Sequence, residues 1–170
     1  IEPKPTFWDV DTQVDFIMPG GKLAIAGAEA ILPNLGRLTR YARDGGIRVM
    51  GSVDWHSPDD AELSERPDYP HTFPPHCLAG TPGSKKVPET APTDALWVAN
   101  APEDADSLAG RLRAHGGEIY LRKQRFDVFT NPNTETVLET VRLRHVVVYG
   151  VALDVCNAHV IDGFLRRGGT

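Results

Sequence analysis

Three side chains of this sequence could together make and break an acyl bond: the thiol of Cys156, the carboxylate of Asp11 and the ammonium of Lys123. Cys156 closes the run Val-Tyr-Gly-Val-Ala-Leu-Asp-Val-Cys (148–156), where an apolar strand gives way to a helix. The first turn of a helix offers unpaired N–H groups and the positive end of its dipole. A thiol placed there is expected to ionise below the free value of about 8.5 and to act as a nucleophile. A nearby carboxylate can take its proton, a lysine can stabilise both anions, and backbone N–H groups at the helix start can receive the oxyanion of a tetrahedral intermediate. Each residue also has an ordinary reading. Cys156 fits a buried core cysteine, Asp11 a turn cap, Lys123 a surface charge at a strand end, and Asp9 its neutralising partner.

A second group is Asp54-Trp55-His56. At the end of a strand, alternation puts Asp54 and His56 on one face, which suits a divalent metal with mixed oxygen and nitrogen ligands. Two ligands do not hold such an ion tightly. His71 (in Tyr-Pro-His-Thr) and His76 (in Phe-Pro-Pro-His-Cys) follow in a loop where prolines could fix one of them, although a histidine in such a loop is more often a plain surface residue.

These residues need a scaffold, and the chain supplies one by alternating strand and helix. Thr6–Val10 reads as a first strand leading to Asp11 and Asp15. A helix is expected over 28–44, where Ile31, Leu32, Leu35, Leu38 and Tyr41 recur at spacings of three or four; Pro33 falls in its tolerant first turns and Gly45-Gly46 stops it. Further strands are expected at 47–53, 94–99, 118–121 and 145–151, the last apolar enough for a fully buried parallel strand. Helices are expected at 105–114, at 133–143 capped by Asn133 or Thr134, and at 154–167 closed by Gly168-Gly169. The expected class is α/β: a three-layer, doubly wound, mostly parallel sheet of Rossmann-like form, in one domain covering 1–170, with a Pro-rich loop region at about 55–92. In such sheets ligands bind outside the carboxyl ends of the strands, which gathers Asp11, Asp15, Asp54, His56, Lys123 and Cys156 into one crevice. Chains of this kind tend to end on a further strand, so a C-terminal strand is expected to be missing here.

Composition narrows the alternatives. Net charge is −5 and no basic run stands out, which disfavours nucleic-acid and anionic-membrane partners. No apolar stretch approaches the ~20 residues of a membrane span. The two cysteines, Cys77 and Cys156, do not make a disulfide framework and are expected to be reduced thiols of a cytoplasmic protein. Fourteen prolines and sixteen glycines, many between 57 and 92 among Trp55, Tyr69, Phe73 and Leu78, mark ordered loops.

Along nearly its whole length the sequence resembles the isochorismatase-like cysteine hydrolases, and among them most closely the nicotinamidases. The likeness is carried by Asp-Thr-Gln-Val-Asp-Phe (11–16), Gly20-Gly21 with Leu23, Asp54-Trp55-His56, Pro74-Pro75-His76-Cys77, Gly80-Thr81-Pro82-Gly83, Lys123 before Phe126 and Phe129, and Gly150-Val151-Ala152-Leu153-Asp154-Val155-Cys156. The resemblance implies a triad of Asp11 as general base, Lys123 as its cation and Cys156 as nucleophile. It implies a cis peptide between Val151 and Ala152 that turns the N–H groups of Ala152 and Cys156 toward an oxyanion. It also implies a divalent metal (zinc, iron or manganese) on Asp54, His56 and His76 that holds a pyridine nitrogen, with Phe16, Phe73 and Phe126 around the substrate. Glu62 lies near the place of a further histidine found in some members, which leaves open whether Glu62 or His71 is a ligand too.

The implied reaction is hydrolysis of a small amide, nicotinamide to nicotinate and ammonia, through a thioester. The rivals are another hydrolase of the family, acting on isochorismate, a carbamoyl amide or a ureido compound, and, from a different class, a phosphoacceptor signalling domain reading Asp9, Asp11, Asp54 and Lys123 as its acidic pocket. The latter leaves Cys156, His56 and His76 unexplained. Members of the family are commonly oligomers, so a homo-oligomer is expected, with no interface legible in the residues. Leu153 stands where the family usually has Thr, Asn157 follows the cysteine where a small apolar residue is common, and 126–131 departs from the familiar pattern; these changes bear on substrate choice.

Overall fold

A computed structural model describes residues 4–168. Five strands, β1 (Thr6–Val10), β2 (Arg48–Asp54), β3 (Ala95–Val98), β4 (Glu118–Lys123) and β5 (Val146–Gly150), form one sheet in the order β3-β4-β2-β1-β5, every pair parallel. The helices are α1 (Val14–Ile17), α2 (Leu32–Asp44), α3 (Ala105–Ala114), α4 (Thr134–Val141) and α5 (Ala158–Arg166). The expected α/β class and doubly wound parallel sheet are therefore present.

Side-chain alternation along β1 divides the core. Trp8 and Val10 point into a cluster closed by Leu108 and Leu112 of α3, Val137 of α4, and Val160 and Phe164 of α5. Phe7 points the other way, into a cluster with Leu35 and Ala42 of α2. Burying aromatic and aliphatic side chains of this size contributes about 1.5–3 kcal/mol each. Trp8 is fully buried with Phe164 edge-on to it, ring centroids 5.0 Å apart.

Chain order reverses at β1: β2 lies on one side of it and β5, reached by the α4 crossover, on the other. The ends of β1 and β5 therefore face each other across a switch point, where open α/β sheets hold ligands. Gly150 makes the exit from β5 possible. Its φ is +127°, and a Cβ there would lie 2.1 Å from the Val10 carbonyl oxygen.

Several elements differ from the sequence expectation. The stretch 28–44 begins with a 3-10 turn, Ala28–Ile31, before α2, and the short α1 after β1 was not anticipated. The helix expected over 154–167 is a wide π turn, Leu153–Asn157, followed by α5, so Cys156 sits in the π turn rather than in the first α turn. β5 was expected to be buried on both sides, yet it is the sheet edge in the described residues, with Val147 38% exposed. Its apolar run reflects packing on its two faces and says nothing of which neighbour stands beside it. Gly169, read as part of the stop of the last helix, lies outside the described residues.

Candidate active site

Asp11 leaves the end of β1 with φ +49°, held by its N–H to the Ser52 carbonyl (3.1 Å) and by the Ser52 hydroxyl, which donates to Oδ1 (2.8 Å). Its Oδ2 lies 2.9 Å from Lys123 Nζ, and both side chains are fully buried. Lys123 ends β4 in register with Asp54 of β2. Its ammonium donates to Asp54 Oδ1 and reaches Cys156 Sγ at 3.6 Å. A carboxylate, an ammonium and a thiol from three different strand ends thus meet in one buried cluster.

The electrostatics correct one expectation. Burial drives the Cys156 thiol well above its ordinary pKa; Lys123 opposes that rise, while Asp11 and Asp54 add to it. The resting sulfur is therefore a protonated thiol, and the stabilisation expected from a helix start is outweighed by desolvation. Burial also raises Asp11, with Lys123 opposing and Asp54 reinforcing. Burial disfavours the Lys123 ammonium, but Asp11, Asp54 and the sulfur hold it charged, well above its ordinary value. Asp54 stays ionised, below the usual carboxylate range, because Lys123 and the imidazoles of His56 and His76 overcome its burial.

Asp54 joins this cluster to a second one. Its Oδ2 lies 3.5 Å from His76 Nε2 and 3.8 Å from His56 Nε2. One donor atom from each of Asp54, His56, Glu62 and His76 falls within a mutual 4.8 Å, and all four residues are buried. His76 Nδ1 lies 2.8 Å from the Pro74 carbonyl, which can only accept, so Nδ1 carries the proton and Nε2 offers its lone pair. His56 Nδ1 lies 3.2 Å from Asp60 Oδ2, while its Nε2 is buried without a hydrogen-bond partner. An orphaned imidazole nitrogen facing two carboxylates and a second imidazole fits a divalent metal with nitrogen and oxygen ligands. The donor types suit zinc, iron or manganese alike.

Asp54, His56 and His76 are thus brought together as expected. Glu62 joins them and His71 does not. His71 is exposed, and its N–H bonds Asp68 in a surface turn. Two further expectations are corrected. Asp15 faces away from the site and ties loops together, accepting the N–H of Cys77 (2.7 Å) and of Lys22 (3.0 Å). Asp9 pairs with Lys86 at 2.9 Å instead of with Lys123, because alternation turns it toward the α2 side of the sheet.

A cavity of about 220 Å³ opens onto both clusters, lined by Cys156, Val151, Ala152, Asp54, Glu62 and His76 at its polar end and by Phe16, Phe73, Phe126, Leu23, Ile25 and Val155 elsewhere. Phe73 and Phe126 meet edge-on at 5.3 Å, and Phe16 lies 5.3 Å from His76. The Val151–Ala152 peptide is cis. Cys77 and Cys156 are both free thiols. A larger surface groove of about 650 Å³ between α4, β5 and α5 contains none of these groups.

Sequence reasoning missed two supports. Gln13 clamps β1 to β2 from inside: its Nε2 donates to the carbonyls of Asp54 (2.8 Å) and Ser84 (2.9 Å), and its Oε1 accepts the Asp54 N–H (2.7 Å). Its signal was an amide side chain standing between Asp11 and Asp15 just after the first strand. Ser52, in the middle of an apolar strand, was the other available hint.

No family model matches the chain. Among characterised proteins it is similar to N-carbamoylsarcosine amidase of Arthrobacter sp (24% identical over 97% of this chain and 55% of that one). It is similar also to nicotinamidase/pyrazinamidase of Mycobacterium tuberculosis (28% over 94% of this chain and 77% of that one). A ureidoacrylate amidohydrolase of Caulobacter segnis is 28% identical over 96% of this chain and 68% of its own length. The chain thus spans little more than half of one of these relatives. Among solved structures, nicotinamidase/pyrazinamidase of Bacillus subtilis superposes with a TM-score of 0.72 (22% identity, 99% of this chain, 82% of that one). Pyrazinamidase of Pyrococcus horikoshii in complex with zinc gives 0.70 (25% identity, 98% and 81%). The chain has the fold of isochorismatase-like hydrolases and is similar in sequence to amidases. Its named relatives are amidases and amidohydrolases acting on different small molecules.

Proposed function

We propose that this protein is a metal-containing cysteine amidohydrolase acting on a small uncharged heteroaromatic amide, nicotinamide or a near analogue. The observation that carries the substrate class is the lining of the cavity. Three phenylalanines and several aliphatic side chains surround it, and its charged lining residues are the carboxylates Asp54 and Glu62. No lysine or arginine lines it to receive a substrate carboxylate, as N-carbamoylsarcosine and ureidoacrylate would require. Its volume of about 220 Å³ is below the ~300–1,000 Å³ of pockets for larger ligands, and suits a single ring with one amide.

The chemistry begins from a protonated thiol. Asp11 takes the Cys156 proton as the sulfur attacks the amide carbon, and Lys123, beside both groups, stabilises the negative charge as it passes from the carboxylate to the sulfur. The N–H groups of Ala152 and Cys156 receive the oxyanion. Asp11 returns its proton to the departing ammonia, then activates the water that hydrolyses the thioester. Burial raises Asp11, which makes its carboxylate a stronger base toward the Cys156 proton than an exposed one would be. A metal ion on Asp54, His56, Glu62 and His76 would supply a Lewis acid that holds the ring nitrogen. With that substrate the reaction belongs to pyridine nucleotide salvage, and two reduced thiols fit a cytoplasmic protein.

The test is ammonia release from nicotinamide, N-carbamoylsarcosine and ureidoacrylate, before and after chelation and in Cys156→Ala. Release from nicotinamide that is lost in Cys156→Ala supports the reading. Turnover of only the carboxylate-bearing amides would replace the substrate, and turnover unaffected by Cys156→Ala would remove the mechanism.

A further inference from the structure

We infer that the groove beside Trp55 and Trp97, on the sheet face opposite Lys123, binds a small oxyanion, a carboxylate or a phosphate, through Arg122. Arg122 precedes Lys123 on β4, so alternation sends the two side chains to opposite faces. Its guanidinium carbon lies 4.2 Å from the ring centre of Trp55 and 5.7 Å from that of Trp97, which in turn stacks on Tyr120 at 5.2 Å. A groove of about 460 Å³ opens there, lined also by Lys85, Ser84 and Thr93.

What singles out Arg122 is its missing partner. Among the described residues four cationic side chains are not exposed: Arg43, Lys86, Arg122 and Lys123. Arg43 pairs with Glu118, Lys86 with Asp9, and Lys123 with Asp11 and Asp54. Arg122 has no carboxylate, and its Nε is buried with no hydrogen bond. Burial alone lowers its pKa, with no neighbouring charge acting against it. Aromatic rings near the flat faces of a guanidinium satisfy its cation–π attraction and leave its in-plane N–H groups to be filled. Those groups match the paired oxygens of a carboxylate or phosphate, which they can bind as a fork. Exposed Lys85 adds a second positive charge to the groove of a chain whose net charge is −5. This inference is independent of the amidase chemistry, although the groove lies directly behind it: Trp55 separates Asp54 from His56, and its N–H donates to the Lys123 carbonyl (2.9 Å).

The tryptophans provide the readout. The chain has three, and Trp8 is sealed in the core, so anion-dependent emission comes from Trp55 and Trp97. The purified protein is titrated with sodium phosphate and, separately, sodium acetate at constant ionic strength. One saturable transition is expected for at least one anion, and the tighter one identifies the ligand class. Arg122→Gln is expected to weaken it by about tenfold or more, Lys85→Gln by less, and Arg122→Lys to retain part of it. A response that never saturates for either anion overturns the inference. So does a midpoint unchanged in Arg122→Gln, which would place the anion on the metal-site side. If Arg122→Gln does not fold by circular dichroism, Arg122→Lys and Lys85→Gln decide: unchanged midpoints in both overturn it.

Discussion

Replacing Lys123 with methionine removes the one positive charge between two buried carboxylates. Asp11 Oδ2 lies 2.9 Å from the ammonium with neither group exposed. At an effective dielectric constant of about 20, that attraction is about 6 kcal/mol. The variant does not lose all of it, because Asp11 can take up a proton instead. From an ordinary carboxyl value of 3.8, protonation at pH 7 costs about 4 kcal/mol. The expected destabilisation is therefore about 3–5 kcal/mol at pH 7, the range found when one partner of a buried pair is removed. It also has a pH signature. Burial already raises Asp11, and without Lys123 to oppose it the folded-state pKa rises further. A carboxyl raised on folding binds its proton more tightly in the native state. Its stabilising contribution is present at low pH and is lost as pH climbs from the ordinary carboxyl value toward the raised one. The gap between wild type and variant should widen with pH, by at most about 1.4 kcal/mol per unit. Urea unfolding of the metal-free proteins at pH 5, 6, 7 and 8 measures this. A gap below about 1 kcal/mol, as for a surface pair, or one that does not change with pH, would refute the buried cluster.

Other outcomes follow from the same geometry. Asp11→Asn should lower ammonia release by about 10²- to 10⁴-fold while the circular dichroism spectrum is unchanged; retention of more than a tenth of the activity would remove Asp11 as the base. Glu62→Ala should reduce metal affinity by about 10- to 100-fold, read by competition with a chromogenic chelator, whereas His71→Ala should leave it unchanged, since His71 stands on the surface. Alkylation of Cys156 in the resting protein should be slow at pH 7 and should quicken as pH is raised, because burial holds the thiol above its ordinary pKa; a rate already at its plateau by pH 7 would show a resting thiolate.

Residues at strand ends were legible because topology alone brings them together. Parallel strands deliver Asp11, Asp54, Lys123 and Cys156 to one edge of the sheet, so types and order sufficed to place them. Loop residues were harder. Glu62 enters the site through a loop among prolines, where its carbonyl accepts the Phe73 N–H (2.8 Å) and Leu63 bridges to Phe73, pairings that no periodicity announces. Asp15 shares its short segment with Asp11, but one turn of α1 points it at the Cys77 loop. The ionisation state of Cys156 was misread for a related reason. Position at a strand-to-helix junction can be read from residue types, but the depth that desolvates the sulfur depends on the core cluster that takes in Cys156 together with Trp8, Val160 and Phe164.

The central claim is that Cys156 is the group to which the amide carbon becomes bonded. Cys77 is the other thiol and is fully buried, so partial alkylation with iodoacetamide can be assigned by peptide mass spectrometry without ambiguity. Ammonia release from nicotinamide, measured on the same samples, should fall in direct proportion to the fraction of Cys156 modified and reach zero when modification is complete. Full activity in protein whose Cys156 is quantitatively alkylated would contradict the account.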